Sequence, residues 1–246
     1  MQEQEIIRRY FNYPVGSGGS GVTLGVGDDA AVLTPPAGQL VVSTDTLNGG
    51  VHFFADADPY LLARKAAAVS VSDIAAMGGR ALWLTAALTA PATTASDWFL
   101  QFSRGLASSS SDYAYTVVGG DLTCGEQLSI TTTVIGVCTT PPLTRAAAQV
   151  GDDVWVSGTI GAAAHALAVR LGTLPAAADM QAAEACLHNP VPRQTLAAAL
   201  ATTAHAMMDI SDGLLLTAEE IAKQSAVAIC LDAEALALPS SFVALN

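Results

Sequence analysis

A chain of 246 residues, 51% apolar and only 13% charged, can bury a sizeable core and is no disordered or low-complexity segment. Its formal net charge of −12, with Lys65 and Lys223 as its lysines, argues against nucleic acid or an anionic membrane surface as partner, since both need a basic patch. An anionic substrate stays compatible with that charge where metal ions supply the positive counterpart. Cys124, Cys138, Cys186 and Cys230 are widely spaced with no Cys-x-x-Cys pair, the usage of free thiols in a reducing compartment. The stretch from Met1 to Tyr10 is too polar for a signal peptide. No apolar run reaches the ~18 uninterrupted residues of a membrane span. These features predict a soluble, cytoplasmic protein.

In chain order, Gln2 to Phe11 predicts a short amphipathic helix, ended by Pro14 and by the glycine-serine run Gly16–Gly21, which reads as a connector. Val22–Val26 and Ala30–Leu33 predict short strands around Gly25-Val26-Gly27-Asp28-Asp29. A turn at 34–38 and a strand from Gln39 to Thr44 then lead to Asp45. Asp58 as N-cap and Pro59 at the first helical position start a helix that runs to Met77, where Gly78-Gly79 stops it. Ala81–Thr89 predicts a strand, and Ser96-Asp97 opens an amphipathic helix through Trp98, Phe102 and Leu106. Tyr113–Val118 and Leu128–Val137 predict two strands, joined through Gly119-Gly120-Asp121 and a turn at Cys124-Gly125-Glu126. A boundary near Thr139-Thr140-Pro141-Pro142 divides the chain into domains 1–140 and 141–246. In the second, Val154–Ser157 predicts a strand, Ala162–Leu171, Pro192–Ala206 and Asp212–Gln224 helices, and Ala226–Leu231 a strand. Strands alternating with helices in both halves indicate a mixed fold of class α/β (α+β).

The chemistry centres on carboxylates. Asp28 and Asp29 repel each other, so either a solvated turn or a divalent cation must accommodate them. Asp recurs after apolar runs, in Val41-Val42-Ser43-Thr44-Asp45, Val117-Val118-Gly119-Gly120-Asp121 and Met207-Met208-Asp209-Ile210-Ser211-Asp212. That recurrence suggests carboxylates gathered at one place. Asp73, inside an Ala-rich helix, faces either solvent or a cation, because an unpaired buried charge is costly. Gly151-Asp152-Asp153 repeats the pair at the entry of a predicted strand, where a turn is the ordinary explanation. The chain has no Gly-Lys dipeptide, no Gly-x-Ser-x-Gly elbow and no His-Glu-x-x-His, which excludes a P-loop and two common hydrolase motifs. His165, His188 and His205 lack ligand spacing and read as surface or packing residues. His52, soon after Asp45, is a candidate substrate contact. Many Asp, almost no Lys and glycines beside the Asp residues suit a reaction in which Mg²⁺ neutralises a polyphosphate that the protein positions.

Gly25-Val26-Gly27-Asp28-Asp29-Ala30-Ala31, Ser43-Thr44-Asp45-Thr46-Leu47 with Gly50-Val51-His52-Phe53, Ser72-Asp73-Ile74-Ala75-Ala76-Met77-Gly78, Gly119-Gly120-Asp121, Pro142-Leu143-Thr144-Arg145 and Asp209-Ile210-Ser211-Asp212-Gly213-Leu214 occur in this order. Together they closely resemble the thiamine-monophosphate kinase family, within the superfamily of aminoimidazole ribonucleotide synthetase, from about Glu5 to Leu238. The resemblance implies a two-domain fold whose N-terminal sheets pair in a homodimer. It implies ATP-dependent phosphorylation of thiamine phosphate to thiamine diphosphate by in-line transfer. It further implies several Mg²⁺ ions on Asp29, Asp45, Asp73, Asp121, Asp209 and Asp212, with Ser43 and Thr44 assisting. Tyr113, Gly120, Asp121, Arg145 and Ser211 would contact ATP, and His52 would face thiamine phosphate. Leu122 and Cys124 stand where the family often has Thr and Arg, and Asn48-Gly49 replaces a Val-Glu. Family members continue past the position of Asn246 with a Gly-Gly-Glu-Asp-Tyr-Glu-Leu segment, so an incomplete C-terminal domain is expected. Rival readings are another ATP-using synthetase of the superfamily and an inert module that binds Mg²⁺ or nucleotide. A selenophosphate synthetase is disfavoured because no reactive Cys and Lys stand in the N-terminal glycine-rich stretch.

Overall fold

The computed structural model describes residues 3–13, 21–176 and 180–236; the glycine-serine run up to Ser20 and the chain after Leu236 lie outside them. Helix α1 (Glu3–Tyr10) is followed by two short antiparallel strands, β1 (Val22–Leu24) and β2 (Val32–Leu33), which flank the Asp28-Asp29 loop. Next come β3 (Gln39–Asn48), α2 (Pro59–Ala76), β4 (Arg80–Ala90), α3 (Ser96–Tyr113), β5 (Thr116–Cys124) and β6 (Ser129–Cys138). The four longer strands form one sheet in the order β3-β6-β4-β5. In it β6 is antiparallel to both neighbours, while β4 and β5 are parallel. A parallel pair cannot be joined by a tight turn, and α3 supplies the crossover between β4 and β5.

Local signals explain most of these elements. Asp58 caps α2 by accepting the Leu61 amide at 3.0 Å, and Pro59 needs no amide partner in the first turn. The helix is so rich in Ala and Val that Leu62, Ala63, Ala66, Ala67, Val71 and Ile74 all disappear into the core. Helix α3 lies against α2 closely enough that a Cβ on Gly105 would stand 2.2 Å from the Tyr60 carbonyl oxygen. Phe99, Phe102 and Leu106 on α3 meet Leu84, Leu88, Ile130 and Val134 of the sheet in the same core. Trp98 stacks on Phe102 with ring centroids 5.0 Å apart. A second, smaller cluster of Leu82, Trp83, Val118 and Val137 receives Val22, Ala31 and Leu33, and so ties the strands around Asp28-Asp29 to the sheet.

The chain divides into two compact units. The first runs up to Pro142 and includes Pro192–Thr202; the second comprises Leu143–Val191 and the chain from Thr203 onward. Helix α6 (Gln194–Leu200) therefore belongs with the sheet unit, where the sequence reading made a single cut after residue 140. Gln194 accepts the Ala81 amide at 2.8 Å and donates to the Tyr113 carbonyl at 2.9 Å, joining α6 to the start of β4 and the end of α3. The second unit holds α4 (Ala162–Arg170), α5 (Met180–His188), α7 (Leu214–Ser225) and a short 3₁₀ turn at Ala233–Ala235.

Several expectations change. Val154–Ser157 and Ala226–Leu231 are not strands, because neither finds a ladder partner among the described residues. Tyr113 ends α3 instead of opening β5. After an irregularity at Val118, strand β5 continues through Gly119-Gly120-Asp121, paired with Thr85, Ala86 and Ala87, so these glycines form no turn. Gly120 is there because a Cβ would lie 2.0 Å from the Ala86 carbonyl oxygen. Only Gln194–Leu200 of the predicted Pro192–Ala206 helix forms, and α5 was not anticipated.

Candidate functional site

Strand β3 presents alternate residues to opposite sides. Leu47 is buried and Ser43 and Asp45 are half-buried on the side of α2, while Val42, Thr44 and Thr46 are exposed on the other. On α2, Ser70 and Asp73 are three residues apart and so share a helix face. Two cross-links result. Ser43 donates from Oγ to Asp73 Oδ2, and Ser70 donates from Oγ to Asp45 Oδ2 at 2.8 Å. The strand pairs Asp45 with Thr132 of β6, whose hydroxyl is 2.8 Å from Ser70 Oγ and 2.8 Å from the Ala66 carbonyl oxygen. Two carboxylates, Asp45 and Asp73, are thereby held by hydroxyls on one side of the sheet. The Thr44 side chain is not among them: its hydroxyl meets Thr133 on the opposite face at 2.9 Å.

His52 lies on the turn that follows β3. The turn closes through the Gly50 amide on the Phe53 carbonyl at 2.9 Å and the His52 amide on the Asn48 carbonyl at 2.9 Å. The Asn48 amide donates to His52 Nδ1 at 3.0 Å. A backbone amide only donates, so Nδ1 is the acceptor and the neutral ring carries its proton on Nε2. His52 thus offers an N–H donor from an exposed ring. Lys65, on α2, donates from Nζ to the His52 carbonyl at 3.2 Å, and burial lowers its pKa below the ordinary lysine value. Ser129 holds the Asn48 side chain at 2.7 Å. Sequence reasoning gave Lys65 no role and read Asn48 only as a departure from the family pattern; the one usable signal was a lysine before an otherwise apolar helical stretch.

The remaining residues of the first unit are dispersed. Asp28 Oδ1 accepts the Asp29 amide at 2.8 Å, which occupies one member of the pair in shaping its own loop and leaves the Asp29 side chain exposed. Asp121 is exposed on β5 opposite Ala87, on the sheet face that carries Thr46 and Thr131. Gly119, Gly120 and Asp121 border an otherwise apolar cleft, walled by Ile7 of α1, Phe11 just after that helix and Leu106 of α3. Tyr113 is not part of that cleft. It is buried, with its ring beneath the Arg64 guanidinium at 5.7 Å and its hydroxyl 3.5 Å from Arg64. Burial raises its pKa, against the opposing charge of Arg64. Arg64 itself donates to Asp112 and Ser108, each at 2.7 Å; burial opposes its charge, but Asp112 together with Tyr113 and Tyr60 outweighs it and keeps its pKa above the ordinary value.

In the second unit, Asp209 is half-buried and Ser211 and Asp212 are exposed on the turn into α7, whose N-cap Gly213 has φ 123°. Arg145 is exposed, and its carbonyl accepts the Ser225 hydroxyl at 2.7 Å. Asp152 shapes a turn, as expected, through the Gln149 amide at 2.8 Å, and it also meets His205 Nδ1 at 2.8 Å. The Gln149 amide and then His205 hold the Asp152 pKa below the usual value. His165 is a buried residue of α4.

Among the described residues no three His, Cys, Asp or Glu side chains gather tightly enough to hold a metal ion alone. Asp45, Asp73 and Ser43 nevertheless form an all-oxygen set of two carboxylates and a hydroxyl. That suits Mg²⁺, which keeps several waters and takes one or two carboxylates beside substrate phosphate.

Comparison with known proteins speaks to the family and the fold. Residues 27–138 match the AIR synthase related protein, N-terminal domain. The chain is 37% identical over 246 residues to the thiamine-monophosphate kinase of Haemophilus influenzae, covering 99% of this chain and 74% of that one. The crystal structure of thiamine-monophosphate kinase from Stenotrophomonas maltophilia K279a superimposes with a TM-score of 0.84 at 39% identity, over 99% of this chain and 77% of that one. A solved AaThiL complexed with AMPPCP and TMP superimposes with a TM-score of 0.80 at 31% identity, over 89% of this chain and 71% of that one.

Proposed function

The chain belongs to the thiamine-monophosphate kinase family, and on that premise we propose that it phosphorylates thiamine phosphate to thiamine diphosphate with ATP. An oxygen of the thiamine phosphate attacks the γ-phosphorus of ATP in line. The bond from that phosphorus to the β,γ-bridging oxygen breaks, and ADP leaves. The observation that carries this reading is the pair of hydroxyl-held carboxylates, Asp45 and Asp73, in a chain that shares its fold with a ThiL complexed with AMPPCP and TMP. AMPPCP mimics ATP with an uncleavable β,γ link.

Mg²⁺, when bound, supplies neutralisation of the polyphosphate charge, the main electrostatic demand of such a transfer. Of the several ions expected, Ser43, Asp45 and Asp73 are assigned to those on the α2 side of the sheet, Thr44 and Asp121 to those on the other face, Asp29 to those at its own loop, and Asp209 and Asp212 to those of the second unit. Gly120, Asp121, Arg145 and Ser211 are assigned to ATP. Gly120 borders the apolar cleft, and the Arg145 guanidinium suits phosphate. The Tyr113 side chain is engaged with Arg64, so its assigned ATP contact is left to its main chain at most. His52 is assigned to thiamine phosphate, where its Nε2–H donates to a phosphate oxygen. The catalytic share of the protein is positioning: binding both anions, orienting them in line and excluding water. The open sheet face, with Val42 at 63% exposure and the paired threonines Thr44–Thr133 and Thr46–Thr131, suits a second copy of the chain in a homodimer.

A discontinuous assay for thiamine diphosphate, with ATP, Mg²⁺ and thiamine phosphate, tests the activity. Product is expected; Mg²⁺-dependent ATP binding without product would move the reading to a sister synthetase or an inert module. Asp45→Asn should weaken Mg²⁺-dependent ATP binding by about 10-fold or more with the fold intact. An unchanged affinity would count against the carboxylate set. His52→Ala should raise KM for thiamine phosphate more than for ATP, and equal losses would remove its role.

A further inference from the structure

We propose that Ser70, seated on Thr132, is the positioning residue that orients the Asp45 carboxylate and leaves its Oδ1 for the cation. The inference rests on the assignment of Asp45 as a Mg²⁺ ligand. Ser70 is completely buried in a helix whose neighbouring residues are Ala66, Ala67, Ala68 and Val71. A buried hydroxyl is unfavourable unless hydrogen-bonded, and Ala would fill this site with better helix propensity. Packing therefore does not account for a serine here. Its hydrogen bonds do.

Counting hydrogens fixes their direction. Ser70 has one hydroxyl hydrogen and three acceptors in reach: Asp45 Oδ2 at 2.8 Å, Thr132 Oγ1 at 2.8 Å and the Thr132 carbonyl at 3.3 Å. Thr132 Oγ1 carries a hydrogen of its own, within 2.8 Å of both the Ala66 carbonyl, which only accepts, and Ser70 Oγ, which can accept it too. The Ser70 hydrogen goes to the carboxylate, because a charged acceptor makes the stronger bond and the carbonyl is further away. Thr132 is itself buried and lies directly opposite Asp45 in the β3–β6 register, so the seat of Ser70 is built into the sheet. Asp45 Oδ2 is thereby fixed. Among the described residues Oδ1 accepts no hydrogen bond, and it is the oxygen presented to a cation. The neighbouring Ser43–Asp73 contact repeats the device with the partners exchanged, hydroxyl on the strand and carboxylate on the helix.

The test titrates Mg²⁺ into the full chain at fixed ATP and reads nucleotide binding by calorimetry, alongside the thermal midpoint. The variants are Ser70→Ala, Asp45→Asn and the double variant. Outer groups that orient metal ligands typically matter 10- to 100-fold in affinity, so Ser70→Ala should raise the half-saturating Mg²⁺ about 10-fold. The double variant should then be no worse than Asp45→Asn alone, since Ser70 acts only through Asp45. A Mg²⁺ requirement unchanged by Ser70→Ala but raised by Asp45→Asn overturns the proposal and leaves the kinase reading standing. So does additivity of the two changes, or a lowered midpoint with unaltered Mg²⁺ dependence. If neither variant alters the requirement, the assignment of Asp45 falls and this proposal with it. Should Ser70→Ala fail to fold, Thr132→Val carries the same test, with a raised Mg²⁺ requirement expected and an unchanged one overturning.

Discussion

Two stretches of nearly the same composition meet different fates in the two units. Val41-Val42-Ser43-Thr44 lies in β3, hydrogen-bonded along its length to β6. Val154-Trp155-Val156-Ser157 has the same apolar, β-branched character, yet it pairs with no strand among the described residues, and Trp155 is 87% exposed. What separates them is the neighbour. Strand preference measures how well a side chain fits a half-buried pleated surface, and where no such surface exists the preference has nothing to act on. The first unit is consequently interlocked by buried aromatic and aliphatic side chains from every layer. In the second, the helices bury mostly Ala, together with His165 and Thr217.

Truncating side chains should break that contrast or sharpen it. Phe102→Ala removes a ring with no exposure at the centre of the first unit and should cost about 3–5 kcal/mol of its stability, whereas Trp155→Ala should stay within about 0.5 kcal/mol. Amide exchange followed separately in each unit measures both. Comparable losses would mean that Trp155 is covered in solution. A smaller effect is expected at Gly120. Its new methyl group would meet the Ala86 backbone, so Gly120→Ala should destabilise the sheet by about 1–3 kcal/mol, while Gly119→Ala, whose methyl meets only Thr85 at 3.7 Å, should be better tolerated. Chemical denaturation of the two variants distinguishes them, and equal midpoints would refute the close approach of β4 and β5.

The smallest effect belongs to the second unit and depends on pH. The folded Asp152 carboxyl titrates below its unfolded value, because its ionised form accepts from Gln149 and meets His205. Its contribution is therefore fully present above the unfolded carboxylate pKa and is lost as pH falls through the lowered folded one. Exchange of the Gln149 amide should accelerate, after correction for intrinsic rates, only in that acid window. Asp152→Asn should abolish the change, and persistence of it in that variant would assign it to another group.

Much of the first unit was legible because its signals are local. Asp58-Pro59 declared the start of α2, and the alternation from Gln39 onward declared β3. The glycines misled, since Gly119-Gly120 reads as a turn until the neighbouring strand is known. A close backbone approach leaves the same residue as a reversal of direction does. Of the candidate site, the acids were visible but not their faces. Period-two alternation already separates Thr44 from Ser43 and Asp45, yet nothing in the sequence says which face meets α2. Ser70 left one trace, a hydroxyl between two valines three residues before Asp73 that nothing distinguishes from Ser72, and its partner Thr132 is 62 residues away.

Helix α6 has a practical consequence through its two hydrogen bonds from Gln194. The first unit is not one continuous piece of chain: a segment about fifty residues beyond its apparent end completes it. A fragment ending at Pro142 would leave the Ala81 amide and the Tyr113 carbonyl without their Gln194 partners and would strip the cover supplied by Ala197. Excision of either unit by a single cut therefore takes material from the other. Each is whole only in a chain that leaves the sheet unit and returns to it.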